Sequence, residues 1–307
     1  MFLKLHHDLL GTYSTYLNCH LKTYLSMNTY TKTNVPLTSA LVLQQSNSVY
    51  TSDLEKKYLE HIDFSGVMAA SQEMTTATTA IRDIICLRKN YIRKALSEQL
   101  LSNPKRQILI LGAGLDPLSI FLLEHHADRI SDIFEVDGSD TILTKAVIYS
   151  DLIPTTNQPH FIQCNLADTN LLMETLLRKG FQPEKPTIVV LEGVVHYIHN
   201  HEFVKLMQQF ESKGKYNKVI MEYCLDPVDV PAHGLSLHNT VIGLFEKFIK
   251  DKVRVYFREE MMEVLTNLGV IETQVVAMKD VEFQLNGNNL LFHQQGEGLV
   301  EMLVFKL

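Results

Sequence analysis

Long apolar runs are missing from this chain. Nowhere do its 307 residues approach the roughly 18 consecutive apolar residues of a transmembrane helix, so no membrane partner is expected. Basic charge is short as well. With 28 Lys and Arg against 35 Asp and Glu, the net charge of −7 makes a poor binder of phosphate backbones, and no nucleic-acid partner is expected. Cysteine is scarce: Cys19, Cys86, Cys164 and Cys224 stand far apart with no CxxC pair, which excludes a disulfide framework and a cysteine zinc site. The N-terminus, MFLKLHHDLLG, lacks a long apolar core and a small-residue cleavage site. It is not read as a secretion signal, and a cytoplasmic location is expected. There is no HExxH spacing, and His196, His199 and His201 have no acid partner beside them, so no metal is expected. No internal repeat, heptad array or low-complexity tract interrupts the chain.

What is present is the balance of a globular protein, 46% hydrophobic and 21% charged, long enough for one large domain or two smaller ones. The chain changes character near residue 105. Residues 1–60 are rich in Thr, Ser, Asn and Tyr, carry a turn signal at Asn34-Val35-Pro36, and read as irregular helical segments. Residues 78–101 read as a helix. From 106 onward, short apolar runs alternate with helical stretches: QILIL (107–111), DIFEVD (132–137), HFIQC (160–164), TIVVLE (187–192) and KVIMEY (218–223). Helices are expected over 168–179, between Asp168 as N-cap and Gly180 as C-terminal stop, and over 202–213, where Phe203, Leu206, Met207 and Phe210 share one face. Alternation of this kind means parallel strands joined by crossovers, covered on both faces. A helix at 258–268, the run 270–278, a Gly/Asn-rich turn region and the run 298–307 then predict a closing antiparallel strand pair. The expected fold is α/β, a doubly wound and mostly parallel seven-stranded sheet. Residues 1–77 form an N-terminal helical extension, 78–307 the main domain, and 224–257 an insert on the substrate side.

In an open parallel sheet, ligands bind beyond the carboxyl ends of the strands, where strand order reverses. The expected strands end in Gly112-Ala113-Gly114-Leu115-Asp116, Glu135-Val136-Asp137, Cys164-Asn165-Leu166 and Glu192-Gly193. Gly112 and Gly114 permit a sharp turn with backbone close to a ligand, and Asp137 is spaced to accept hydrogen bonds from ribose hydroxyls. The third glycine of the dinucleotide fingerprint is absent. Asp116, read as the N-cap of the next helix, would repel a diphosphate, and Glu192 adds a second negative charge. A nucleoside carrying a cation suits such a rim better, and S-adenosylmethionine is the expected cofactor.

The helix at 78–101 gives a second clue. Ile81, Ile84, Ile85, Ile92, Ala95 and Leu96 form an apolar stripe, with Arg88 inside it and Arg82, Lys89, Arg93 and Lys94 read as outside it. A guanidinium there must reach solvent or an anion, because an unpaired buried charge costs several kcal/mol. The anion is either a cofactor carboxylate or an acid elsewhere in the domain.

The segments LRKNYIRKAL (87–96), ILILGAGLDP (108–117), FEVDGSDTILTK (134–145), GFQPEKPTIVVLEGVVHYI (180–198) and KVIMEYC (218–224) resemble the leucine carboxyl methyltransferase family. The resemblance runs from about residue 82 to 224. It implies a Rossmann-like class I methyltransferase fold and S-adenosylmethionine as methyl donor. It further implies Arg88 on the cofactor carboxylate, Gly112 and Gly114 in the glycine turn and Asp137 on the ribose. Asn165 and Leu166 would lie beside the adenine, and Glu192 near the methionyl amine. Asn165 stands where the family usually has Asp, Pro117 where it has Thr, and the Arg that often follows is missing.

Methyl transfer from a sulfonium is an in-line displacement in which holding nucleophile and carbon together is the main task. A carboxylate acceptor needs no base, whereas a hydroxyl or amine can require one. His196, Tyr197 and Tyr223 are the candidates on the acceptor side. The expected function is O-methylation of a carboxylate or hydroxyl of a small molecule. The alternatives are methylation of a protein's C-terminal leucine, an NAD-binding oxidoreductase, and a non-catalytic relative that keeps the fold.

Overall fold

Strand β1 (Arg106–Leu111) is buried at every position, as is β4 (Thr187–Leu191), and these two lie side by side at the centre of the sheet. The computed structural model describes residues 37–102 and 104–307. Cys19, the turn expected at 34–36 and the preceding part of the N-terminal extension lie outside the described residues. The other strands are β2 (Ile130–Asp137), β3 (His160–Gln163), β5 (Lys218–Cys224), β6 (Ile271–Ala277) and β7 (Val300–Lys306), and the sheet runs β3-β2-β1-β4-β5-β7-β6. The first five strands pair in parallel. β7 pairs antiparallel with both β5 and β6. Strand order reverses between β1 and β4, so the loops after these two strands flank a crevice.

The pleat divides each central strand between two cores. Ile108, Ile110, Ile188, Val190 and Ile220 face one side; Leu109, Leu111, Val189, Leu191, Val219 and Met221 face the other. Eleven α-helices are present among the described residues. On the first face lie α4 (Ala80–Leu101), α5 (Leu118–His126), α9 (Leu235–Ile249) and α11 (Met278–Asn286), contributing Ile84, Leu122, Val241 and Val281 to its core. The second face is covered by α7 (Thr169–Arg178), α8 (Asn200–Gln208) and α10 (Arg258–Asn267), through Leu172, Phe203 and Met261. Helices α1 (Leu37–Gln45), α2 (Asp53–Glu60) and α3 (Met68–Ala77) precede α4, and α6 (Thr141–Leu152) links β2 to β3. None of the described helices is long and apolar enough to cross a membrane.

Three expectations need correction. The region between β6 and β7, read as turn, contains α11, and its Gly/Asn cluster is the helix stop, with Gly287 at φ +76°. The helix after β1 starts at Leu118 with Pro117 before it, so Asp116 is not its N-cap. Finally, α4 is not a one-sided helix. Lys89 and Arg93, read as lying outside its apolar stripe, are both buried. Arg93 pairs with Glu55 of α2 at 2.6 Å and lies over the rings of Tyr50 and Phe121, because the N-terminal segments pack on the flank that the apolar stripe leaves open.

Candidate functional site

A cavity of about 410 Å³ opens at the carboxyl ends of β1, β2 and β4 and is walled by α1, α4 and α9. That volume lies within the range of small-molecule sites. Its lining includes Arg88, Gly112, Gly114, Asp137, Asn165, Leu166 and Glu192, together with His196 and Tyr197. The structure thus brings these nine sequence-selected residues to one place.

The glycine turn is shaped by contact. Gly112 has φ +70°, and a Cβ there would meet Val194 Cγ2 at 2.3 Å. Gly114, at φ +46°, lies on the cavity and donates its N–H to Asp137 Oδ2 at 2.9 Å. Asp137 Oδ1 accepts from the backbone and hydroxyl of Ser139, at 2.8 and 2.6 Å. From outside, Tyr58 donates to the carbonyl of Leu115 at 2.9 Å and Tyr50 to Asp116 at 2.7 Å. The tyrosines of the weakly patterned N-terminal region therefore tie down the turn.

Lys145 holds the same turn from beneath. Its ammonium donates to the carbonyl of Asp116 and pairs with Glu135, which also accepts from Ser119. Lys145 and Glu135 are both fully buried. The chain after β1 is thus anchored by a buried ion pair on one side and by two phenols on the other.

Arg88 finds acids within the domain: its guanidinium lies 3.0 Å from Glu192 and 3.4 Å from Glu222. Lys89 pairs with Asp116 and sits 2.6 Å from Glu192. Burial pushes the Asp116 carboxyl up, but Lys89 and Arg93 outweigh it and hold the group well below the ordinary carboxylate range. Asp116 is therefore an ionised carboxylate whose charge is paired with Lys89. It cannot repel a diphosphate as a lone carboxylate would, which corrects the expectation drawn from its charge.

Glu222 escaped the sequence reading. It is fully buried, accepts the Gly193 N–H at 2.5 Å, and has no partner for Oε2 among the described residues. Burial lifts its carboxyl to about 6, against the pull of Arg88 and with a further push from Glu192. The available signal was the strand period. In β5, residues 222 and 224 share a face, and Cys224 lines the cavity. Tyr223 therefore points to the opposite face, where its hydroxyl donates to Glu301 at 2.5 Å, and the structure does not bring it to the cavity. His196 is buried with Nδ1 3.8 Å from Cys224 Sγ. Burial, then the nearby Arg88, lower its imidazole to about 3, so it is neutral at physiological pH. Tyr197 is half exposed at the rim.

No curated protein matches the sequence. Among solved structures, the chain is similar to a DUF574 family protein from Streptomyces avermitilis, with a TM-score of 0.64 and 12% identity, covering 89% of this chain and 97% of that one. It is equally similar to a candidate methyltransferase from Thermobifida fusca, with a TM-score of 0.64 and 14% identity over 89% of this chain and 95% of the other. At such identities these likenesses speak for the fold. The family model for leucine carboxyl methyltransferases matches residues 34–211, beginning well before the stretch in which the motifs alone show the resemblance. That match takes in more than half of the chain, and with it the glycine turn, Arg88 and Glu192: the chain belongs to the leucine carboxyl methyltransferase family.

Proposed function

We propose that this protein transfers a methyl group from S-adenosylmethionine to an oxygen, carboxylate or hydroxyl, of a small molecule. The observation that carries the reading is the Arg88–Glu192 pair on the cavity wall, 3.0 Å apart beside the glycine turn. A guanidinium and a carboxylate held side by side complement the carboxylate and ammonium of an amino acid tail. The donor set fits the rest of the molecule as well, with Asp137 for a ribose diol and Asn165 and Leu166 for an adenine edge. Bound there, S-adenosylmethionine would supply a methyl carbon activated by its sulfonium, whose carbon–sulfur electron pair returns to sulfur on transfer. The protein's part is positional. Arg88 and Glu192 orient the tail, the turn held by Lys145 and Tyr58 fixes the nucleoside, and His196 and Tyr197 stand on the acceptor side. Holding nucleophile and methyl carbon in line is worth on the order of 7–11 kcal/mol.

Calorimetry tests the reading. S-adenosylmethionine binds the wild type, whereas Arg88→Ala and Asp137→Ala lose at least tenfold in affinity with the circular dichroism spectrum unchanged. NADH gives no heat. Unaltered affinity in Arg88→Ala, or binding of NADH in place of the sulfonium nucleoside, overturns it.

A further inference from the structure

One carboxylate oxygen touches both halves of the Arg88–Glu192 pair. Glu222 Oε1 lies 3.4 Å from Arg88 Nη1, and it also accepts, at 2.5 Å, the N–H of Gly193, the residue that follows Glu192. Arg88 comes from α4, Glu192 from the turn after β4 and Glu222 from β5. The three meet only by tertiary packing, so no local geometry sets the spacing of the guanidinium and the Glu192 carboxylate. Their access to the cavity differs. Arg88 and Glu192 line it with 11% and 13% of their side chains exposed, whereas the Glu222 side chain is wholly covered and is not among the described residues that line it. Among the described residues no third acid pairs with Arg88, and its Nε has no hydrogen-bond partner. The terminal nitrogens alone, one toward each acid, hold the guanidinium in place.

We infer that Glu222 is a positioning residue for the methyl donor: without touching the donor, it fixes Arg88 and Glu192 at the spacing that the carboxylate and ammonium of the amino acid tail require. The inference rests on the proposed methyl-donor reading and deepens it. A tail that binds between Arg88 and Glu192 replaces their contact with contacts of its own. Arg88 then keeps one protein acid, Glu222, which lies behind it and out of the ligand's reach. A long side chain released from its partner regains rotamer freedom, and ordering it again at each binding event weakens the complex. Glu222 removes that cost on the Arg88 side. On the other side its bond to the Gly193 N–H pins the backbone that carries Glu192, at a residue whose φ of +70° already makes a sharp turn. The tail is zwitterionic, so its net charge gains little from the loss of an acid behind the clamp. What such a loss removes is placement. The sulfonium of the donor is drawn to the acids on its own account, so the test uses thioethers.

Calorimetry on the full chain at pH 8 compares S-adenosylhomocysteine with 5′-methylthioadenosine. The two share the nucleoside and an uncharged sulfur, and only the first carries the tail. Burial lifts the Glu222 carboxyl to about 6, so at pH 8 the wild type holds its charge. The wild type binds S-adenosylhomocysteine more tightly than 5′-methylthioadenosine. Glu222→Gln keeps an oxygen for the Gly193 N–H and removes the charge beside Arg88; Glu222→Asp keeps the charge and draws it back by one methylene. In both variants the affinity for S-adenosylhomocysteine falls by about tenfold or more, the worth of one hydrogen bond to a charged group. The affinity for 5′-methylthioadenosine stays within about twofold of wild type. A residue that only supports the fold would weaken both ligands alike. Equal losses for the two ligands, an unchanged affinity for S-adenosylhomocysteine in either variant, or loss of the wild-type circular dichroism spectrum in both variants overturns the inference. If Glu222→Gln alone fails to fold, Glu222→Asp decides. A wild type that binds neither ligand overturns the methyl-donor reading, and this inference with it.

Discussion

Lys89 and Glu192 lie 103 positions apart in the chain, yet the ammonium of one sits 2.6 Å from the carboxylate of the other. The same ammonium also reaches Asp116, and the same carboxylate is shared with Arg88. Two cations from adjacent positions of α4 thus interleave with acids from the ends of β1 and β4, and Glu222 of β5 stands behind Arg88. The cluster is internally paired. A zwitterionic tail would exchange one set of charge contacts for another, so its binding leaves few charges newly desolvated.

Replacing Lys89 with Met should therefore damage both stability and binding. The substitution leaves the mostly buried Asp116 and Glu192 facing each other without the cation between them. Breaking a buried pair in this way costs roughly 3–5 kcal/mol. Urea denaturation at pH 7 should show a loss of that order. Partial recovery is expected in the double variant Lys89→Met/Asp116→Asn, because the second change removes the stranded charge. A double variant less stable than Lys89→Met would show that the cluster is not held by this pair.

Glu222 gives the protein a pH signature. Its carboxyl, ordinarily near 4.5, is raised to about 6 in the folded chain. The folded state therefore binds the proton more tightly than the unfolded state does. The contribution of this group to stability is greatest below 4.5 and declines as pH rises through about 6, by on the order of 2 kcal/mol in total. Glu222→Gln removes the titration while retaining the shape. In urea melts from pH 4 to pH 7, wild-type stability minus variant stability should fall across that window. A flat difference would mean that folding does not shift the group, and a difference rising with pH would mean that the fold stabilises its ionised form.

The sheet was legible because its strands are buried on both faces. β1 and β4 read as unbroken apolar runs, and the polar residues that follow them mark the crevice. Arg88 was legible as the charge that does not belong in an apolar stripe. Lys89 was not, since one helix's periodicity cannot reveal that α1 and α2 cover its flank or that Asp116 waits across the cavity. Tyr50 and Tyr58 were hidden for a related reason. Their partners, Asp116 and the carbonyl of Leu115, lie 66 and 57 positions away, beyond the reach of any local pattern. Tyr223 was selected and Glu222 passed over because both lie near the end of the same strand, and only the pleat assigns them to opposite faces.

That assignment can be tested at Tyr223. Its hydroxyl donates to Glu301, which also pairs with Arg258 at 2.6 Å on the side of the sheet away from the cavity. Tyr223→Phe removes a buried hydrogen bond to a charged group, worth roughly 1.5–3 kcal/mol. Thermal or urea denaturation should register the loss. The affinity for S-adenosylmethionine should stay within twofold of wild type, because the residue does not touch the cavity. A large fall in affinity with stability unchanged would return Tyr223 to the site.

Lys145 separates fold from function more sharply, because its ammonium performs two tasks. It neutralises Glu135 in a fully buried pair, and it binds the carbonyl of Asp116 in the turn after β1. Lys145→Met leaves Glu135 charged and unpaired, which should cost about 3–5 kcal/mol. Adding Glu135→Gln removes that charge and should restore much of the stability. It cannot restore the hold on the Asp116 carbonyl, since the side chain at position 135 meets Lys145 and Ser119 rather than the turn. The double variant should therefore melt near wild type yet bind S-adenosylmethionine at least tenfold more weakly, with the deficit read by calorimetry. If affinity returned together with stability, the ion pair would matter only to the core, and the turn would owe its shape to Tyr50, Tyr58 and the glycines.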